Sequence, residues 1–119
     1  MAKLIDLKTI TDVRGDLTVI EKILPFEIKR VYYIYNTNEK CRGGHKHKKN
    51  VQALISVHGS CNIVCDDETF SLDTPSKCLI LEPDDYHYMC DFENECVLLV
   101  LSSEHFDKED YVRRDDWVR

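Results

Sequence analysis

Cys41 to Gly59 reads "CRGGHKHKKNVQALISVHG". Two histidines one residue apart, His45 and His47, are followed by the apolar, strand-like run "VQALISV" and then, after His58, by Gly59. Successive side chains on a strand point to opposite faces, so residues two apart share a face. His45 and His47 therefore look into one cavity, which is the geometry a two-histidine metal site uses. Arg42, Lys46, Lys48 and Lys49 crowd the same stretch, although the chain carries a net charge of −6. That overall charge argues against general nucleic-acid binding, which needs a basic face for phosphates. A local cluster of this kind still suits a small anion.

Outward from this stretch, the chain reads as short strands broken by turns, with no long segment of helical period. "LTVIEKI" (Leu17 to Ile23), "IKRVYYIYN" (Ile28 to Asn36) and "VQALISV" (Val51 to Val57) are rich in β-branched and aromatic residues. "HGS" (His58 to Ser60) predicts a hairpin turn into "CNIVC" (Cys61 to Cys65), and "DDE" (Asp66 to Glu68) a turn into "TFSL" (Thr69 to Leu72). "KCLILE" (Lys77 to Glu82) and "ECVLLVLSS" (Glu95 to Ser103) follow, and one helical turn is predicted around Asp107 to Val112. Seven or eight such strands predict an all-β fold, a sandwich or barrel of antiparallel sheets. Its mouth would gather inward-facing polar side chains. A cupin-type jelly roll, the antiparallel double-stranded β-helix, is the leading architecture, and at 119 residues one domain over 1–119 is expected.

Six cysteines show no CxxC pair. "MAKLIDLKTI" lacks the apolar core of a secretory leader, and no run approaches a membrane span. Cys61, Cys65, Cys78 and Cys96 sit in apolar runs, where a free thiol behaves as a small hydrophobe. Reduced cysteines in a cytoplasmic protein are the expectation.

The first cupin motif runs glycine, HxH, three or four residues, glutamate, six residues, glycine. Here four residues, "KKNV", follow "HKH", and six, "ALISVH", separate Gln52 from Gly59. The frame fits, but a neutral amide replaces the acidic ligand and brings no charge to offset a divalent cation. In "EPDDYHYM", His87 falls four residues after Pro83, one short of the expected ligand position, where Tyr88 stands. A one-residue shift on a strand reverses the face, so His87 is expected off the site. No metal is expected. His58 and His105 read as surface residues, and His87 as a residue of the mouth or of an exposed loop.

Without a metal, histidine is suited to proton transfer, since its ordinary pKa is about 6.5. In a dry pocket it removes a proton next to a carbonyl, and a hydroxyl or second imidazole stabilises the enolate. "RVYYIY" (Arg30 to Tyr35) offers tyrosines: alternation puts Val31, Tyr33 and Tyr35 on one face and Arg30, Tyr32 and Ile34 on the other. Which face lines the cavity stays open, and strand tyrosines are most often packing residues.

"DVRGDL" (Asp12 to Leu17), "PFEIKRVYYIYN" (Pro25 to Asn36), "RGGHKHKK" (Arg42 to Lys49), "EPDDYHYMCDF" (Glu82 to Phe92), "VLLVLSSEHFDKEDYVR" (Val97 to Arg113) and the closing "RDDW" occur in this order. Together they resemble the small cupins called nucleotide-sugar 3,4-ketoisomerases, the WxcM-like or FdtA and QdtA family. The resemblance implies conversion of a dTDP-linked 4-keto-6-deoxyhexose into its 3-keto isomer without metal or redox cofactor, for deoxysugar and glycan biosynthesis. It makes His47 the base at C-3, Tyr33 its companion in the pocket, and His45 a proton carrier or a residue that orients the carbonyl. Arg42, with Arg30, would hold the diphosphate; Gln52 would hydrogen-bond substrate, and Tyr35 would join the binding face. It also implies a homodimer. Gly44 departs from the family pattern, where a bulky aromatic often precedes the first histidine, and Lys46 replaces a small residue. The alternatives are a dTDP-sugar 3,5-epimerase and a non-catalytic sugar- or metal-binding cupin.

Overall fold

The computed structural model describes residues 1–38 and 40–113, so the "RDDW" of the family resemblance, at 114–117, lies outside the described residues. The described residues form strands β1 Lys3–Asp6, β2 Lys8–Asp12, β3 Gly15–Val19, β4 Arg30–Ile34, β5 Arg42–His47, β6 Gln52–Cys65, β7 Glu68–Leu72, β8 Lys77–Leu81, β9 His87–Ser102 and β10 Tyr111–Arg113. Every pairing is antiparallel. The main sheet runs β1-β8-β6-β9-β5-β10, with β4 added to β9 and β7 to β6. β2 and β3 form a separate two-stranded ribbon whose tip is closed by Asp12, which accepts a hydrogen bond from the Arg14 amide at 2.8 Å. The predicted turn near Asp107 is a 3-10 turn over Lys108–Asp110, with Asp107 as its cap. The fold is the all-β jelly roll that the strand pattern predicts.

β6 and β9 are the frame, at 14 and 16 residues. The hairpin turn predicted at His58–Ser60 is absent, because β6 runs straight through it. Register shifts between Ser56 and Asn62 bend the strand instead. Gly59 (φ 68°) takes the left-handed conformation, and a Cβ there would lie 2.5 Å from the Glu93 carbonyl oxygen. The Ser56 hydroxyl donates to the carbonyls of His58 and Gly59, satisfying backbone that the bulge removes from the ladder. Bending lets one strand serve both layers of the double sheet, so a glycine that reads as a turn acts as a corner.

Alternation then sorts the side chains. Leu54, Ile63, Leu79, Leu98 and Val100 fill the interior, with Tyr32 and Ile34 packed against them. Ala53, Ile55, Cys78, Ile80 and Leu101 form a second cluster on the outer face, covered by Leu7, Ile20, Leu24 and Phe26. Cys61, Cys65, Cys78 and Cys96 are buried free thiols, as their apolar settings predict. Cys41 and Cys90 depart from the expectation of reduced cysteines, since they form a disulfide with Cα atoms 4.5 Å apart. Arg42 pairs with Met89, so the next step of the register sets Cys41 directly opposite Cys90. The two are 49 residues apart in sequence, and only the β5–β9 pairing aligns them.

Candidate active site

β5 places His45 and His47 on one face, as two-residue spacing dictates. The rings meet edge to face with centroids 5.0 Å apart. His87 joins them, with its centroid 5.0 Å from His45 and 6.1 Å from His47. This corrects the expectation that His87 falls off the site. The cause is a bulge in β5: Gly43 pairs with Tyr88, yet His45 pairs with His87, so Gly44 is an extra residue. Gly43 and Gly44 have φ of 92° and 81°, a conformation open to glycine at little cost. The one-residue slip in β5 cancels the one-residue deficit after Pro83. One potential ligand nitrogen from each of the three imidazoles lies within 4.8 Å of the others.

Hydrogen bonds fix the ring tautomers. His87 Nδ1 lies 2.9 Å from the Asp85 carbonyl oxygen, which only accepts, so Nδ1 carries the proton. His47 Nδ1 lies 3.0 Å from Asp110 Oδ2, and an ionised carboxylate likewise leaves the proton on Nδ1. Burial works to raise the Asp110 pKa, but the amides of Lys49 and Asn50 and the His47 ring outweigh it and hold the group below its ordinary value. Both Nε2 atoms are therefore lone pairs, and both are buried without a hydrogen-bond partner among the described residues. Burial pushes His87 down to about 4, and lowers His47 despite the opposing pull of Asp110. Both rings are thus neutral bases at pH 7.

A groove of about 450 Å³ opens above them, lined by Arg30, Tyr32, Tyr33, Tyr35, Arg42 and His45, among others. His47 and His87 lie deeper, only 3% and 1% exposed. Tyr111, also on the groove wall, packs on both rings of the HxH pair, at 4.7 Å from His45 and 4.5 Å from His47. Lys46 turns away to pair with Asp84 at 3.1 Å, and the remaining histidines, His58 and His105, are exposed.

The face of β4 left open by sequence is now assigned. Tyr32 and Ile34 pack inward, whereas Tyr33 and Tyr35 project from the outer face, 61% and 57% exposed, with rings 5.8 Å apart. Tyr33 thus stands at the groove's rim, and the tyrosine on the histidine side is Tyr32. Gln52 stands behind the groove, donating from Nε2 to the Tyr32 oxygen at 3.1 Å. With that lone pair engaged, the Tyr32 hydroxyl proton is available to an oxygen in the groove. Burial raises the Tyr32 pKa and keeps it protonated. Arg30 stacks over the Tyr32 ring at 4.5 Å, and Arg42 lies across the groove on β5.

Sequence reasoning missed Asp110 and Tyr111. Both lie in "KEDY", which reads as a solvated charged tail. β10 pairs Tyr111 with His47, and that contact is what converts the tail into site wall.

Comparisons with known proteins converge on one group. The family profile described as "FdtA: WxcM-like, C-terminal" matches residues 1–117. The chain is 45% identical over 121 residues to a TDP-4-oxo-6-deoxy-alpha-D-glucose-3,4-oxoisomerase of Aneurinibacillus thermoaerophilus, covering 96% of this chain and 87% of the relative. Its structure matches that of QdtA, a sugar 3,4-ketoisomerase from Thermoanaerobacterium thermosaccharolyticum solved with TDP. The TM-score is 0.91 at 46% identity, over 97% of this chain and 89% of the other. A 3,4-ketoisomerase from Helicobacter canadensis gives a TM-score of 0.91 at 37% identity, over 97% and 92%.

Proposed function

The chain belongs to the FdtA, WxcM-like C-terminal family, and from that premise we propose that it is a nucleotide-sugar isomerase: it converts a dTDP-linked 4-keto-6-deoxyhexose into the 3-keto isomer. The observation that carries the chemistry is the His47 lone pair, neutral, buried and fixed by Asp110 at the opposite ring nitrogen. His47 takes the proton from C-3, directly or through His45, which lies between it and the groove together with Tyr111. The C-3–H electron pair forms the C-3=C-4 double bond, and the former carbonyl oxygen at C-4 becomes an enediolate oxygen. Tyr32 or Tyr111 donates to that oxygen. The O-3 proton passes to the enediolate oxygen at O-4, the proton taken from C-3 is delivered to C-4, and the ketone now stands at C-3 beside a hydroxyl at C-4. Arg30 and Arg42 hold the diphosphate in this reading, because guanidinium forks match phosphate oxygens. Tyr33 and Tyr35 supply an aromatic rim for the rest of the nucleotide, and Gln52 acts through Tyr32.

The test is NMR of the product formed from dTDP-4-keto-6-deoxyglucose. Appearance of the 3-keto sugar with the native chain, and its loss in His47→Asn with nucleotide affinity retained, is the expected result. An active His47→Asn enzyme would sink the assignment. In heavy water, label appearing at both C-3 and C-5 with the carbonyl unmoved would identify an epimerase instead.

A homodimer completes the reading. β4 is paired on one side alone among the described residues, and its outer face exposes Val31. The β2–β3 ribbon exposes Ile10, Val13 and Leu17. A second copy is the occupant that covers both surfaces, since an uncovered apolar strand edge invites pairing. We place the reaction in the cytoplasm, where nucleotide-activated sugars are made. Among the described residues no helix is long and apolar enough to cross a membrane.

A further inference from the structure

Arg30 brings a positive charge to the groove, and among the described residues no carboxylate forms an ion pair with it. Aromatic rings hold it instead. Strand alternation puts Tyr32 on the same face of β4, and the Arg30 guanidinium carbon lies 4.5 Å from the centroid of that ring. The second ring comes from far along the chain: Phe106, in the connection from β9 to β10, has its centroid 5.3 Å from the same carbon. Phe106 is 63% exposed and sits within the charged stretch "EHFDKED". Burial of apolar surface therefore does not account for its position. The connection is pinned at both ends, where the Ser103 amide donates to the Val51 carbonyl and Asp107 caps the 3-10 turn. Anchored backbone thus presents the ring to Arg30, and the same ring lies 5.9 Å from that of Tyr111.

A carboxylate and an aromatic face fix a guanidinium in different ways. The carboxylate occupies N–H donors and cancels the charge, whereas ring faces attract the cation through their quadrupoles and leave the donors unused. Arg30 is held in the second way, beside a groove that Tyr32 and Tyr111 line and Phe106 does not. Its plane is restrained, and its donors and charge remain available to an anion. We infer that Phe106 is a positioning residue for substrate binding: its ring, with that of Tyr32, holds the Arg30 guanidinium so that the free N–H fork meets the diphosphate. The inference rests on the isomerase reading, which assigns Arg30 to that group.

The test titrates the full chain with TDP and with thymidine by calorimetry, alongside steady-state kinetics on dTDP-4-keto-6-deoxyglucose. Phe106→Ala should weaken TDP binding by roughly 3–30-fold, the range of one cation–π contact. Thymidine, which has no phosphate, should bind as before. KM should rise in step with the TDP loss, with kcat little changed. Phe106→Tyr should keep native TDP affinity, whereas Phe106→Leu, apolar but without a ring face, should not. In an Arg30→Ala background, Phe106→Ala should add no further loss. Equal weakening of TDP and thymidine would make Phe106 a nucleoside contact, and a fall in kcat alone would make it a brace for Tyr111; either overturns the proposal. Native TDP affinity in Phe106→Ala or Phe106→Leu overturns it too, as do additive losses in the double variant. A native chain that isomerises the sugar but binds TDP independently of Phe106 keeps the isomerase reading and removes this role. Phe106-dependent TDP binding without isomerisation removes the isomerase reading and keeps the role.

Discussion

At the scale of single residues, the chemistry depends on which nitrogen of His47 holds the proton. Asp110 decides this, and it also opposes the downward push of burial on the His47 pKa. Asp110→Asn presents a neutral amide that can donate to Nδ1 and so reverse the tautomer. We expect kcat to fall by roughly 10²–10⁴-fold, the usual worth of a positioned general base, with KM little changed. In the fraction that stays active, the acid limb of the kcat/KM profile should move to lower pH, because a carboxylate that favoured the charged imidazole is gone. A parallel loss of substrate affinity, or an unshifted acid limb, would make Asp110 merely structural. The HxH pair was legible because its two-residue spacing is a strand rule. Asp110 was not, because nothing local distinguishes it from the other carboxylates of a charged tail.

At the scale of elements, the bulge in β5 assembles the histidine trio. Gly44 supplies the extra residue, and Gly43 approaches β9 so closely that a Cβ would lie 3.1 Å from the His87 carbonyl oxygen and 3.2 Å from Tyr88 Cα. Gly43→Ala therefore meets strained backbone and two backbone atoms together. We expect a loss of roughly 1–3 kcal/mol of stability in urea titrations. Activity should fall even where the chain is folded, since the His45–His87 alignment depends on this register. Full activity in a folded Gly43→Ala protein would show that the bulge does not set the site. The same device explains the misread turn at Gly59. A glycine in a β-rich sequence marks a departure from regular strand, but whether it reverses the chain or bends it depends on its partner strand. Here β9 runs alongside throughout, so the strand bends.

At the scale of the molecule, burying neutral histidines makes the fold sensitive to acid. The folded pKa of His87 is about 4, below its ordinary 6.5. Between these values the unfolded chain binds more protons, so stability is complete above about 6.5 and drains away as pH falls toward 4. The shift corresponds to about 3 kcal/mol, and His47, lowered for the same reason, adds in the same direction. Urea midpoints measured from pH 7.5 to 4.5 should fall in the native chain and fall less in His87→Gln; equal slopes would remove His87 as the cause. Assembly belongs to this scale as well. Sedimentation equilibrium should give a dimer for the native chain and a monomer for Val31→Asp combined with Leu17→Asp, and a native monomer would refute the proposed dimer. The sequence alone determined the all-β class, the inward face of the HxH strand and the resemblance to a family, because strand periodicity and short motifs are local properties. The third histidine, the inward tyrosine, the Asp110 support and the Cys41–Cys90 bridge were decided by tertiary structure. Each depends on the register between strands far apart in sequence, and register is fixed only when both sheets pack their buried faces together.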